Sequence, residues 1–213
     1  MKKTVYVVWN DIYHHAETYR DIARQVFDND QWDLHFTDYI RDLVELEQKP
    51  DLIVNFTIGC GNPDNNDHLK PEEQQVLLDA VQAGGMGVLY VHAGLAVIAE
   101  GSPTFRMSLG HFASHPKEHN PVYVRPLPGC SHPIVQGVEP FTAPDEHYFC
   151  QVDMDRATPF LCSVSVAGTE IAGWCQELGR GRACSITPGH TAEMLSHMGK
   201  LLSNAADWCV RRI

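Results

Sequence analysis

Histidines are the residues whose placement points most directly to chemistry; there are 12 in 213 residues. His92 directly follows the apolar run Gly87–Val91 and precedes Ala93-Gly94. A strand, a tight turn and a following helix is the context in which α/β proteins present a nucleophile or a base. His190 repeats the theme: the run Arg182–Ile186 ends in Thr187-Pro188-Gly189-His190, and Thr191 can cap the helix beyond. Imidazole, with an ordinary pKa near ~6.5, suits either a base or a metal ligand at neutral pH. Asp145-Glu146-His147-Tyr148 is the best acidic cluster. A carboxylate beside histidines can act as base, as ligand, or as the partner that fixes a tautomer.

Weaker candidates flank these. Asp11, His14 and His15 follow the first apolar run, and of two adjacent histidines only one is expected to reach a common site. His115 and His132 each precede a proline that holds them extended, so a turn histidine bonded to backbone is at least as good a reading for both. His197 lies seven residues after His190, nearly on the same helical face. His111 and His119 rank lowest because neither stands at a strand end.

The elements that must position these residues are legible as hydrophobic patterning. Thr4–Trp9, Asp51–Phe56 and Gly87–Val91 are short, nearly continuous apolar runs, as strands buried on both faces require. Between them, apolar residues recur at helical spacing from Ala16 to Phe27, and Pro71 opens a second helix that Gly84-Gly85 ends. Asp33–Phe36 reads as a further short strand, and Leu95–Ala99 as the start of a helix. Alternating strands and helices predict a doubly wound parallel sheet with ligands at the carboxyl ends of its strands. After residue 103, short runs at Val122–Val124, His147–Val152, Phe160–Val164 and Glu170–Trp174 predict an antiparallel extension. Arg182–Ile186 returns to a buried strand, and a last helix is expected over Ala192–Val210.

Composition excludes several classes of function. Basic residues number 16 and acidic residues 27, for a net charge of −11 with the acids scattered. This argues against nucleic acid and anionic membranes as partners. No apolar stretch approaches the ~20 residues of a membrane span, and Val5–Trp9 is too short for a secretory core. The cysteines at 60, 130, 150, 162, 175, 184 and 209 are odd in number and form no CxxC, which fits free thiols in a cytoplasmic protein. Gly84-Gly85-Met86-Gly87 stands in the wrong order for a dinucleotide fingerprint, and neither GxSxG nor HExxH occurs, so no nucleotide cofactor is expected. The polar loop Asn62–His68 reads as solvated turn.

The order and spacing of these motifs resemble the ThuA-like (trehalose-utilisation) family. The matching features are His14-His15, Ala83-Gly84-Gly85 before the strand ending at His92, Phe112–Pro116, His132–Gly137, Asp145-Glu146-x-Tyr148, Trp174, and Gly179-x-Gly181-Arg182 leading to Gly189-His190. The resemblance spans nearly the whole chain, residues 1–213, as a single domain. It implies a flavodoxin-like, class I glutamine amidotransferase-like three-layer sandwich with a mainly parallel sheet and a small antiparallel extension. His92 stands where amidotransferases carry a nucleophilic cysteine, so that activity does not follow. What the resemblance implies is carbohydrate catabolism: a lyase or hydrolase acting on a disaccharide such as trehalose in its oxidised, 3-keto form. His92, His190 and Glu146 would surround the reacting centre as acid, base or ligands of one divalent metal, with Tyr148 as proton donor. Asp11, His14, His15, His115 and Trp174 would contact the sugar. The alternative is a sugar- or metabolite-binding regulatory module without chemistry. A homodimer is the assembly to test.

Overall fold

Strands buried on both faces should send alternate side chains to opposite layers, and they do. Val5, Val7, Leu52, Val54, Leu89 and Val91 join one apolar layer, while Ile53, Val88 and Tyr90 join the other. In the computed structural model, which describes residues 2–58 and 68–213, these runs are β1 (Lys3–Val8), β3 (Leu52–Asn55) and β4 (Gly87–Val91). Helix α1 (Ala16–Phe27) leads to β2 (Trp32–Thr37), and the short α2 (Arg41–Glu45) precedes β3. Helix α3 (Pro71–Asp79) widens into a π-turn over Ala80–Gly84 and stops at Gly85. After β4 come α4 (Pro103–Ser108), β5 (Gly110–Ser114), β6 (Asn120–Pro126), β7 (Phe141–Asp145), β8 (Phe149–Val152), β9 (Thr158–Ser165), β10 (Gly168–Leu178), β11 (Gly181–Ile186), α5 (Ala192–His197) and α6 (Gly199–Cys209).

The main sheet runs β2-β1-β3-β4-β11-β10-β9-β6-β7 among the described residues. From β2 to β11 its neighbours are parallel. Beyond β11 they are antiparallel. The antiparallel part is therefore not the small extension expected. Phe160, Leu161 and Ala172 pack into the same layer as Leu201, Leu202 and Ala205 of α6, so these strands prolong the central sheet and its core. The fold is a mixed α/β sheet with helices on both faces rather than a clean flavodoxin-like sandwich. A separate ribbon, β5 with β8, was not anticipated as a pair.

Other differences have local causes. The last helix breaks at Met198, where Gly199, a weak helix former, begins α6. Leu95–Ala99 does not start a helix. His92–Leu95 forms a single 3₁₀ turn, and α4 starts where Ser102 caps it, its hydroxyl accepting from the Phe105 N–H at 3.1 Å, with Pro103 in the first turn. Strand β7 went unread because Pro144 interrupts it; proline is tolerated there because β7 lies at the sheet edge. Cys60 and residues 62–67 of the polar loop lie outside the described residues. No helix among those described is long and apolar enough to cross a membrane.

His147, between β7 and β8, is buried at 2% exposure with its ring nitrogens 2.7 Å from Ser165 Oγ and 2.9 Å from Ser163 Oγ. Burial lowers its pKa below the usual 6.5. As pH falls below about 6.5 the unfolded chain binds this proton first, so its contribution is complete above that pH and is lost on acidification. Denaturant titrations at pH 7.5 and 5.5 should show a drop in stability that His147→Gln makes smaller.

Candidate active site

Because β1, β3, β4 and β11 are parallel, the segments after them emerge at one edge of the sheet, as in other open α/β folds. His14 lies after β1, His92 after β4 and His190 after β11. Glu146 arrives from the opposite side of the sequence, one residue beyond β7.

Each histidine is held by a distinct local device. Asp11 is 7% exposed and ties down the loop after β1. Its Oδ1 accepts from the backbone N–H groups of Tyr13 and His14, both at 2.8 Å, and its Oδ2 from the Ile58 N–H at 2.8 Å. The same carboxylate accepts a hydrogen bond from His14 Nδ1–H at 2.9 Å. His92 adopts a positive φ of 49°, unusual for a side-chain-bearing residue and a frequent mark of functional turns. Its Nδ1 donates to the Thr187 carbonyl at 2.9 Å. A Cβ at Gly94 would collide with the Asn55 carbonyl, so the turn carrying His92 can pack this closely only with glycine there. His190 is placed by Asp145, whose fully buried carboxylate accepts from the N–H groups of Gly189 (2.8 Å), His190 (2.9 Å) and Thr191 (3.0 Å). Gly189 has a φ of 138°, open only to glycine.

These devices bring four donor atoms, one each from His14, His92, Glu146 and His190, within 4.8 Å of one another. Glu146 Oε2 is 3.3 Å from both His92 Nε2 and His190 Nδ1, and those two nitrogens are 3.2 Å apart. With both Nδ1 protons committed elsewhere, His14 Nε2 and His92 Nε2 carry lone pairs into this space. His14 Nε2 is buried and has no hydrogen-bond partner among the described residues. An orphaned imidazole nitrogen aimed at a cluster of like acceptors costs free energy unless a cation satisfies them. Three imidazoles and a carboxylate suit a divalent transition metal such as zinc, so the residues present fit a metal ion.

Burial alone would raise the Glu146 carboxyl, but in the metal-free site a hydrogen bond from His92 Nε2–H, when that ring is protonated, and the positive charges of His92, His190 and His115 in their protonated forms bring it down to about 2. Burial, helped by His92, lowers His190 to about 4 and keeps it neutral, as a ligand must be. Asp11→Asn should weaken metal affinity by about 10- to 100-fold, because an amide facing Nδ1 moves the proton to Nε2. Metal titration of the variant against a competing chelator measures this.

A cavity of about 590 Å³ opens over the cluster, lined by His14, His115, Glu146, Tyr148 and His190 together with Ile12, Tyr13, Ile58, Ala96 and Phe112. The Tyr148 ring lies on His92, centroids 4.0 Å apart, and burial with the nearby Glu146 charge raises its pKa. His115 donates Nδ1–H to the Pro116 carbonyl at 2.6 Å, and its Nε2 lies 3.8 Å from Glu146 Oε1.

Thus the structure brings His92, His190, Glu146, Tyr148, His14 and His115 together, with His14 contributing a donor atom to the cluster as well as lining the cavity. Asp11 sits behind His14. Two expected residues are elsewhere. His15 is turned into a separate crevice with Asp38 and Tyr39. Trp174 is a core residue, 1% exposed, its Nε1–H bonded to the Ser108 carbonyl at 2.6 Å. His197 stacks on Phe141. His119, ranked low from the sequence, has Nε2 3.6 Å from Glu146 Oε1. It lies in the irregular stretch between β5 and β6, and no periodic signal marks it.

Comparison with known proteins identifies the family and the fold. The family model ThuA, described as trehalose utilisation, matches residues 4–209. No curated protein matches the sequence. Among solved structures, a ThuA-like protein from Parabacteroides merdae ATCC 43184 superposes with a TM-score of 0.76 at 16% identity, over 99% of this chain and 90% of that one. A ThuA-like protein from Bacteroides uniformis ATCC 8492 gives 0.71 at 17% identity, over 98% and 91%. A beta-galactosidase from Bacillus circulans sp. alkalophilus gives 0.62 at 10% identity, over 97% of this chain but 31% of that one. At these identities the structural matches establish the fold alone.

Proposed function

Since the chain belongs to the ThuA family, described as trehalose utilisation, we propose that it is a lyase acting on a 3-keto glycoside, for which oxidised trehalose is the reference compound. The observation that carries this reading is the unpartnered His14 Nε2 within a set of three imidazoles and one carboxylate. His14, His92, His190 and Glu146 would hold one divalent ion. Such an ion would supply Lewis acidity to the oxygen that gains negative charge when a proton leaves the carbon beside a carbonyl.

The remaining work falls to side chains on the cavity wall. A C3 carbonyl acidifies the proton on C2, and a positioned imidazole can remove it. His115 would be the base, since its Nδ1–H is committed to Pro116 and Nε2 is the nitrogen left to take a proton. Glu146 Oε1, 3.8 Å away, favours the imidazolium that forms. Tyr148 keeps its proton at neutral pH because burial and Glu146 oppose ionisation, which suits it to protonate the departing oxygen. Asp11 and the Thr187 carbonyl fix the tautomers of His14 and His92.

The test is incubation of the purified protein with 3-keto-trehalose, following glucose release with and without chelator. Metal-dependent release that His115→Ala abolishes while metal content is retained supports the reading. Tight sugar binding with no product would favour the binding module instead.

A further inference from the structure

The polar groups of the cavity are crowded at one end. The donors of His14, Glu146 and His190 lie within 4.8 Å of one another, and His115 adjoins Glu146. The rest of the lining, among the described residues, is apolar or aromatic: Ile12, Tyr13, Ile58, Ala96 and Phe112, with Tyr148 beside them. Tyr13 is 64% exposed and Ile12 36%, so large apolar surfaces face solvent at the mouth of the site. Surface of that kind beside a polar centre marks a binding surface. The Tyr13 backbone is held in place: its N–H is bonded to Asp11 Oδ1 at 2.8 Å, the carboxylate that also orients His14. Across the cavity lining, Phe112 packs on Tyr148 with centroids 4.4 Å apart, and Tyr148 packs on His92 at 4.0 Å. His92, Tyr148 and Phe112 thus form one stacked aromatic run, and Tyr13 and Phe112 both line the same cavity.

We propose that this aromatic run and the Ile12-Tyr13 corner form a subsite for an aromatic leaving group, so that the preferred substrates are aryl glycosides rather than disaccharides. This rests on the keto-glycoside reading above and specifies its second half. The sugar ring places its carbonyl at the histidine cluster, and the aglycone extends over Phe112, Ala96 and Tyr13. A second sugar in that position would bring hydroxyls against apolar side chains, and each buried hydroxyl left without a partner costs about 1–3 kcal/mol. A phenyl ring instead gains from burial and from offset or edge contacts with Tyr13 and Phe112. The chemistry balances without a co-reactant. The C2–H bond breaks and its proton passes to the His115 nitrogen. The C1–C2 double bond forms as the C1–O bond breaks, the aryl oxygen leaves with the electron pair, and the proton held by His115 reaches it through solvent. The products are an unsaturated keto sugar and a phenol. The 3-keto group must be installed beforehand by a dehydrogenase-class oxidation.

The experiment compares phenyl β-glucoside with methyl β-glucoside by calorimetry on the metal-loaded protein, then their 3-keto forms in turnover. Phenyl glucoside should bind about tenfold more tightly or better, and Tyr13→Ala, at an exposed position, should remove most of that advantage, as should Phe112→Ala. Metal content and circular dichroism serve as folding controls. Equal affinity for the two glucosides, or an advantage that survives both substitutions, overturns the subsite. The two readings fail separately. A phenyl advantage in binding without turnover of either keto form removes the enzymatic reading and leaves the subsite. Turnover without a phenyl advantage does the reverse.

Discussion

Glu146→Gln should purify without stoichiometric metal and should turn over a 3-keto glycoside about a thousandfold more slowly, a loss of ~4 kcal/mol in transition-state stabilisation. The substitution keeps size and shape, so the fold should survive it. What it removes is the only negative charge among the grouped donors, whose other members are His14, His92 and His190. It also removes the oxygen facing His115 Nε2 at 3.8 Å and His119 Nε2 at 3.6 Å. An amide would turn an N–H toward the cation, or offer it a neutral oxygen that binds far more weakly than a carboxylate. The wild-type carboxyl is held at about 2, so its ligand form persists in mildly acidic solution and is lost only as pH falls through that value. Metal analysis and steady-state rates of the variant, beside wild type at pH 5 and pH 7.5, check both parts. At pH 5 Glu146 is still ionised, so any metal lost there reflects protonation of the histidine ligands.

Asp145→Ala should be the most destabilising single change near the site, by about 3 kcal/mol or more. It leaves the N–H groups of Gly189, His190 and Thr191 without their acceptor in a fully buried position. For a chain of 213 residues that corresponds to a fall in Tm of about 10 °C. Burial pushes the Asp145 carboxyl up, while His92 and the three N–H groups favour its ionised form. Asp145→Asn keeps an oxygen for those N–H groups and should lose less than half as much stability. Calorimetric melting of the two variants in the metal-free state separates this anchoring from any contribution of the ion. In the metal-loaded state both should bind metal more weakly, because the corner that presents His190 is no longer held.

The parts of the site that could be read from the sequence were those made by local chain geometry. His92 and His190 stand where an apolar run ends beside glycine, and a parallel strand must end at the ligand edge of such a sheet. Glu146 was found through its acidic neighbours, although Asp145 beside it proved to be a backbone anchor. Whether His14 or His15 faced inward depended on the Asp11 carboxylate, which captures the first and leaves the second at the start of α1. His119 and Phe112 depended on how the β5-β8 ribbon and the stretch before β6 fold back over the sheet, a long-range arrangement with no local signal. Trp174 was misplaced for a related reason. It follows the family pattern, but β10 continues the central sheet and carries it into the core. The extent of the antiparallel half was hidden in the same way, since short runs broken by Pro and Gly do not reveal which edge they will join.

The central claim is that His14, His92, His190 and Glu146 form a metal centre. Anomalous diffraction from crystals grown with a divalent transition metal, recorded at its absorption edge, tests this most directly. The account predicts one strong peak about 2.0–2.2 Å from His14 Nε2, His92 Nε2, His190 Nδ1 and a Glu146 oxygen. A strong peak elsewhere with none at these four residues, or an ordered water hydrogen-bonded to His14 Nε2 in its place, would contradict it.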